Sequence, residues 1–136
     1  MAQTYIWKGN SGLYTDSTQW TPAGSPNTGD TAVASSGTLV LVGLSLFDET
    51  IDLQPAADQY VTLEIVNTSF DSATSLNADS FNSNGAGYSD IRIQGALVSF
   101  GTITVGVAGS SGYFYLEIDP YLDMGANEFI MTAQCL

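Results

Sequence analysis

Short runs of alternating apolar and polar residues are the feature that most restricts the fold of this chain. In residues 61–65 and 90–94 every second side chain is apolar, and this period of two places one face of a strand inward and the other toward water. The residues that favour strands, Val, Ile, Thr, Tyr, Phe and Trp, together number 45 of 136. No stretch has sustained helical spacing of apolar residues. The sequence therefore predicts one all-β domain over residues 1–136.

The chain divides into a turn-rich start and a strand-rich remainder. Gly and Pro punctuate residues 1–30, whereas residues 31–136 carry the alternating runs. Residues 77–90 interrupt those runs with turn formers, and we expect a surface loop there. Such a loop is either flexible or a protruding contact segment, and in the second case Phe81 and Tyr88 are its candidate contact residues.

Strand centres recur at a spacing that fits two architectures. Leu39 and Leu63, Ile91 and Leu116, and Ile103 and Phe129 form three pairs of centres with nearly the same separation in the sequence. A regular repeat of this kind is typical of a short parallel β-helix, also called a β-solenoid, in which each coil lies on the preceding one. Frequent short strands are equally typical of an antiparallel β-sandwich or jelly roll. The spacing alone leaves both open.

The charge balance argues against several functions. Fourteen acidic side chains stand against two basic ones, Lys8 and Arg92, which gives a net charge of -12. Such a chain cannot neutralise a phosphate backbone, and an anionic membrane surface repels it, so we do not expect it to bind nucleic acid or such a surface. Its longest apolar run is far short of the roughly 18 residues of a membrane span, so we expect no membrane insertion. With no His and the single Cys135, the chain lacks His-based catalysis, an internal disulfide and a thiolate metal cluster. No secretory signal is visible at the N-terminus.

The densest acidic cluster lies at residues 117–123. Glu117, Asp119 and Asp123 carry oxygen ligands of the kind that Ca²⁺ prefers, but their spacing is not that of an EF-hand loop. We expect a solvated strand end and turn, with Ca²⁺ as the remaining cofactor hypothesis. No catalytic, cofactor-binding or other metal motif is found, and the sequence predicts a protein that is not an enzyme.

Two tryptophans lie among the turns of residues 1–30. Trp7 and Trp20 each favour burial with the indole N–H bonded, and an aromatic plug over the end of an apolar core provides both. The open end of a solenoid requires such a cap. Asp30 follows Gly29, and we expect it to accept hydrogen bonds from nearby backbone N–H groups. The alternative for the two indoles is a platform on which sugars stack.

This start resembles that of the β-solenoid passenger regions in bacterial autotransporter and adhesin-like surface proteins. The family pattern is Trp, Gly, Gly, aromatic, Trp, Pro, Pro, Gly-Asp and a small residue. The corresponding residues here are Trp7, Gly9, Gly12, Tyr14, Trp20, Pro22, Pro26, Gly29, Asp30 and Ala32. Tyr14 stands where the family commonly has Trp. The resemblance covers about residues 5–45, is supported later by residues 99–106, and implies a capped parallel β-helix without a catalytic motif.

The chain is far shorter than such passengers, and this suggests a different setting. Phage structural proteins reach the exterior by host lysis and need no signal. We therefore expect a non-enzymatic, homo-oligomeric structural protein on a virion surface, a capsid decoration, cement or tail-associated protein that acts through protein–protein contacts. The alternative is a sugar-binding or adhesive module of a bacterial surface protein, with a glycan as partner. The apolar residues Phe129, Ile130 and Met131 are further contact candidates, unless they form the last core strand.

Overall fold

A computed structural model of the chain describes residues 2–55, 59–71, 74–78, 81–82, 85–86, 88–99, 103–105, 113–123 and 129–131. The all-β prediction is confirmed, because strands make up nearly all of the regular structure in these residues. One turn of 3-10 helix at Ser17–Gln19 is the exception, and the Asp16 side chain caps it by accepting from the backbone N–H of Thr18.

The strands in the first half are β1 (Thr4–Trp7), β2 (Ser11–Leu13), β3 (Trp20–Thr21), β4 (Thr31–Ala34), β5 (Gly37–Val42), β6 (Ser45–Leu46), β7 (Thr50–Leu53) and β8 (Tyr60–Val66). The strands in the second half are β9 (Ser69–Phe70), β10 (Ser75–Ala78), β11 (Phe81–Asn82), β12 (Gly85–Ala86), β13 (Tyr88–Ser99), β14 (Ile103–Val105), β15 (Tyr113–Asp123) and β16 (Phe129–Met131). The three longest, β8, β13 and β15, are neighbours in one sheet.

The first sheet has the strand order β16–β14–β10–β7–β4–β1–β3. Its neighbouring strands are parallel except for β1 and β3, which are antiparallel. Residues that face each other across a ladder are called register partners below. Ala32, Ile51 and Leu76 are register partners in successive strands and are all buried. Register partners in parallel strands point to the same face of the sheet, so such rows form one continuous apolar side of the core.

The second sheet has the order β2–β5–β8–β13–β9–β6, and β15 also pairs with β13. Every ladder in it is parallel. Its inward row includes Leu39, Leu63 and Ile91, of which the first two are 0% exposed and the third 1%. Along β8 the buried positions alternate with partly exposed ones, as the period of two predicts.

The three pairs of strand centres that recur in the sequence are register partners. Leu39 pairs with Leu63, Ile91 with Leu116, and Ile103 with Phe129. An antiparallel sandwich would require neighbouring strands to run in opposite directions. Within the described residues only β1–β3 and β11–β12 do so. The sheets are therefore mixed, with parallel pairing predominant, and the antiparallel alternative does not describe them.

One apolar core takes side chains from both sheets. The alternating pattern of the sequence predicts eight core residues. Five of them are buried in the structure: Leu39, Leu41, Leu63, Ile65 and Ile91. The side chains of the other three, Ile93, Ile103 and Val105, lie outside the described part.

The predicted loop at residues 77–90 is the main difference between sequence and structure. Its first two residues end β10, its last three begin β13, and between them β11 and β12 pair as a short antiparallel hairpin. Turn-forming residues have low strand propensity, but neighbouring strands override it by supplying ladder partners. Here β10 pairs with β7, and β13 pairs with β8.

Candidate functional site

Trp20 is the centre of an aromatic cluster formed by residues from the turn-rich start. Its ring centroid lies 4.9 Å from that of Trp7, 5.3 Å from that of Tyr14 and 6.4 Å from that of Tyr5. All three contacts are edge-to-face, the arrangement that aromatic quadrupoles favour. Trp20 is 0% exposed and Trp7 is 4% exposed. We call Tyr5, Trp7, Tyr14 and Trp20 the cap cluster.

Both indole N–H groups of the cap cluster have backbone partners. Trp20 Nε1 donates to the carbonyl of Tyr14 and Trp7 Nε1 to that of Asn10, each at 2.8 Å. The burial and these bonds are the two conditions that the plug hypothesis sets. They leave neither indole face available to a dissolved sugar, so the stacking alternative has no basis at these two residues.

Residues 4–21 also provide an edge strand for each sheet. β3 ends the first sheet and β2 ends the second, and both lie at the end where the cap cluster packs. Tyr14 joins the two sheets, because its N–H donates to the carbonyl of Val40 in β5 at 2.9 Å and its own carbonyl accepts from Nε1 of Trp20 in β3 at 2.8 Å. Edge strands and aromatic rings thus cover the same end of the core.

Asp30 directly precedes β4 and accepts two backbone N–H groups. Oδ1 accepts from Gln3 at 2.8 Å, and Oδ2 accepts from Asn27 at 2.9 Å. The bond to Asn27 is the local turn bond that the sequence predicts. The bond to Gln3 joins residues far apart in the sequence and could not be read from local spacing. Asp30 therefore ties the segment before β1 to the turn before β4.

Glu49 is a buried carboxyl without a complete set of partners. It precedes β7 as Asp30 precedes β4, and its side chain is 3% exposed. Oε2 is buried and has no hydrogen-bond partner among the described residues. Burial, together with the carboxylates of Asp30 and Asp71, raises the pKa of Glu49 to about 7. The acidic residues of 48–52 favour a turn in the sequence, whereas residues 50–52 lie in β7, and nothing in that run marks Glu49 as a buried group.

The hydroxyl of Tyr14 is the second buried polar atom without a partner in the described part of the chain. Burial, with the charges of Glu49 and Asp30 nearby, raises the pKa of Tyr14 above its ordinary value. Both groups lie beneath the surface, where a dissolved substrate does not reach them. The described residues contain no group of three or more His, Cys, Asp or Glu side chains placed to hold a metal ion.

Three tyrosines occupy one register position of the second sheet. Tyr60, Tyr88 and Tyr113 are register partners at the start of β8, β13 and β15. The side chain of Tyr60 is 63% exposed, more than any other large apolar side chain described. Two residues further along β13 come Asp90 and then Arg92, whose side chains form an ion pair at 3.1 Å. We call Tyr60, Tyr88 and Tyr113 the tyrosine row.

The sequence indicates Tyr88 but not the row, because the row exists only through strand register. The remaining contact candidates lie on strands: Phe81 on β11, and Phe129, Ile130 and Met131 on β16. Their side chains, like that of Tyr88, lie outside the described part. The same holds for the side chains of the calcium candidates, Glu117, Asp119 and Asp123. All three lie within β15, so the turn predicted at residues 117–123 is wrong, because pairing with β13 continues the strand to Asp123.

Four further large apolar side chains are more than half exposed, namely Ile6, Leu13, Val42 and Phe47. Leu13 and Val42 lie on the second sheet, where Leu13 is a register partner of Val40. Phe47 lies in the connection between β6 and β7. Scattered exposed apolar residues are normal on a protein surface, so these four do not define a site.

No helix in the described residues is long and apolar enough to cross a lipid bilayer. In comparisons with protein-family models, with curated proteins and with solved structures, nothing matches this chain.

Proposed function

We propose that the chain is a non-enzymatic structural module of a surface assembly, built as a short parallel β-helix with an aromatic N-terminal cap. In this proposal it is a decoration, cement or tail-associated protein of a phage virion, where it acts through protein–protein contacts. The surface of a bacterial cell is the alternative location.

The alternation of the chain between the two sheets carries the proposal. From β4 to β16 the longer elements fall in turn on the first and second sheets: β4, β5, β7, β8, β10, β13, β14, β15 and β16. Each return to a sheet adds a parallel strand beside the previous one. A path of this kind supports a β-helix, in which stacked coils present long, regular outer faces for contacts.

The net charge supports a partner of opposite charge. With 14 acidic and two basic side chains, copies of this chain repel each other. An oligomer on a larger shell would be stabilised by docking against basic patches of that shell. Such docking explains a strongly acidic surface better than self-association alone.

Electron microscopy tests this proposal directly. An antibody against the purified chain should label phage particles of the source at regular positions in negative stain. Labelling of the bacterial cell surface instead would support the alternative location. If the antibody labelled neither particles nor cells and the antigen were found only in the soluble fraction, the assembly role would be contradicted.

A second candidate function, binding of a glycan, is favoured by one specific observation. The buried indoles of Trp7 and Trp20 cannot form a sugar platform, but the ring of Tyr60 is exposed and begins a row of three tyrosines.

A further inference from the structure

We propose that the buried carboxyl of Glu49 is a pH-sensitive switch for the N-terminal end of the fold. With a proton on Glu49, residues 3–21, here called the cap segment, stay packed on the core. Loss of that proton opens the cap segment while the sheets beyond it stay folded. This inference concerns the chain itself and does not rest on the proposed function.

Strand register places Glu49 close to the point where the cap segment is attached. Thr31 of β4 and Thr50 of β7 are register partners, so the residues before them, Asp30 and Glu49, lie in adjacent turns. The N–H of Thr50 donates to the carbonyl of Asp30 at 3.0 Å. The carboxylate of Asp30 in turn accepts the N–H of Gln3 at 2.8 Å. Glu49 therefore lies one turn away from the bond that fixes the start of the cap segment.

The cap segment also approaches Glu49 through Tyr14. Tyr14 follows β2, its N–H donates to the carbonyl of Val40 in β5 at 2.9 Å, and its side chain is 1% exposed. Burial raises the pKa of the Tyr14 hydroxyl, and the charge of Glu49 is close enough to raise it further. Neither this hydroxyl nor Glu49 Oε2 has a hydrogen-bond partner among the described residues. Tyr14 therefore lies close to a carboxyl with which it makes no compensating hydrogen bond.

The titratable groups that face Glu49 oppose its ionisation. They are the Tyr14 hydroxyl, Asp30 in the turn before β4, and Asp71 in the segment before β10. Asp48 precedes Glu49 in its own turn. Each of these groups is neutral or negative, so a charge on Glu49 adds repulsion to the cost of burial.

The two basic side chains of the chain are engaged elsewhere. Lys8 Nζ donates to the carbonyl of Thr18 at 2.8 Å, and Arg92 pairs with Asp90 at 3.1 Å. An ionised Glu49 is therefore stabilised by contact with water and not by an ion pair, and it favours any opening that admits water.

The cap segment is the part of the fold that can open at the lowest cost. Its strands β1, β2 and β3 have four, three and two residues, and β2 and β3 are edge strands. The strands that follow, β4, β5 and β7, each pair with a neighbour on both sides. Local opening starts in segments with few stabilising contacts. Opening of this segment removes Tyr14 from the neighbourhood of Glu49 and lets water reach the carboxyl.

The direction of the pH effect follows from proton binding. In the closed state the pKa of Glu49 is about 7, and its ordinary value, which it regains in water, is 4.5. The proton therefore stabilises the closed state fully below pH 4.5, and this stabilisation is lost as pH rises to 7. The equilibrium constant for opening should rise about tenfold for each pH unit across this range and level off above it.

Native-state hydrogen exchange followed by NMR tests the switch on the full chain. Exchange is measured at pH 5.5, 6.5 and 7.5 with 0 and 1 M urea, and protection factors remove the intrinsic pH dependence of exchange. The reporters are the amides of Lys8 and Tyr14, which donate to the carbonyls of Gln19 and Val40. Their protection factors should fall about twentyfold between pH 5.5 and 7.5. Urea should change them little, because a local opening exposes little surface, whereas the amides of β8 should show the steeper urea dependence of global unfolding.

Matched variants assign the effect to Glu49. Glu49→Gln keeps the shape of the side chain without its charge, and protection of the cap segment should then not change with pH. Glu49→Met is a second neutral variant with the same expectation. Glu64→Gln, at a partly exposed position of β8, should keep the wild-type fall.

Three results would overturn the proposal. The first is protection of Lys8 and Tyr14 that does not depend on pH in the wild type. The second is a fall with pH that persists in both neutral variants of Glu49. The third is a urea dependence of these two amides equal to that of β8, since the cap segment would then open only when the whole chain unfolds.

Discussion

At the scale of single residues, the carboxyl of Glu49 is the most unusual group in the described part of the chain. Its neighbours Asp30 and Asp71 both accept backbone N–H groups, which satisfies their negative charge. Glu49 Oε2 is buried without such a partner. A proton on Glu49 removes the cost of a buried, unpaired charge, and burial accordingly raises its pKa from 4.5 to about 7.

Glu49 should make the stability depend on pH. Between pH 4.5 and 7 the folded chain holds a proton on Glu49 that the unfolded chain has lost, so unfolding releases it. The free energy of unfolding should then fall as pH rises through this range and level off below it. In Glu49→Gln the side chain has no charge at any pH, so the variant should show a flatter profile and exceed the wild type in stability at pH 8.

Urea unfolding at pH 5, 6, 7 and 8, followed by tryptophan fluorescence, measures this dependence. Glu64→Gln is the control, because Glu64 lies at a partly exposed position of β8. That variant should keep the wild-type slope. Equal slopes for the wild type and Glu49→Gln would show that Glu49 does not titrate with folding.

At the scale of elements, the three short strands within residues 4–21 depend on the cap cluster for their stability. β1, β2 and β3 have four, three and two residues. Strands this short are marginal alone. Trp20 links them through three ring contacts and one hydrogen bond to Tyr14. The packing of this segment therefore depends on one side chain.

Trp20→Ala should destabilise the protein by about 3–5 kcal/mol, the usual cost of truncating a fully buried aromatic residue. Trp20→Phe should cost less, because it keeps a ring but loses the N–H bond to the Tyr14 carbonyl. Thermal unfolding by circular dichroism measures both. In the wild type the tryptophan emission should be blue-shifted and poorly quenched by acrylamide. Red emission together with a stable Trp20→Ala variant would contradict the cap.

The first residue of β5, Gly37, should be sensitive to substitution. Its φ is +83°, and a Cβ there would clash with the backbone of Asn10 and Gly9. Gly37→Ala should therefore cost more than the roughly 1–2 kcal/mol of a left-handed residue alone. Gly43→Ala is the matched control, since Gly43 has a φ of +63° but a Cβ added there would meet no atom within 4 Å. Equal melting temperatures for the two variants would mean that the close approach to residues 9 and 10 relaxes without cost.

At the scale of the whole molecule, repulsion among the acidic side chains opposes folding. Parallel ladders and a continuous core stabilise the chain, while 14 acidic side chains repel each other with two basic side chains to offset them. Repulsion between exposed charges falls as salt shortens the screening length, from about 30 Å at 0.01 M to about 10 Å at 0.1 M.

The melting temperature should therefore rise with NaCl between 0.01 and 0.3 M. For a chain of this size the rise is roughly 4 °C for each kcal/mol of repulsion that is screened. A double variant with two fewer acids, Asp48→Asn and Glu64→Gln, should respond less to salt. Asn suits position 48 because Asp48 has a φ of 52°. A melting temperature independent of salt in both proteins would show that repulsion does not limit stability.

Local sequence determined the features that depend on neighbours along the chain. The alternation in β8 and β13 is enough to separate inward from outward residues, because strand side chains point to opposite faces in turn. It places Leu63 and Ile91 correctly in the core. Burial of Trp7 and Trp20 follows from the size of the indole and its single donor. The regular recurrence of strand centres indicates a repeat but not whether neighbouring strands run parallel.

Tertiary structure alone decided the features that depend on strand register. Tyr60, Tyr88 and Tyr113 are distant from one another in the sequence and form a row because their strands pair in parallel at one register. A shift of one residue would turn Tyr60 toward the core and Val61 toward water. Glu49 meets Asp30 and Asp71 for the same reason, since it lies between them in stacked turns. Each of these groups brings together residues from different strands or turns, and over such separations along the chain no local propensity acts.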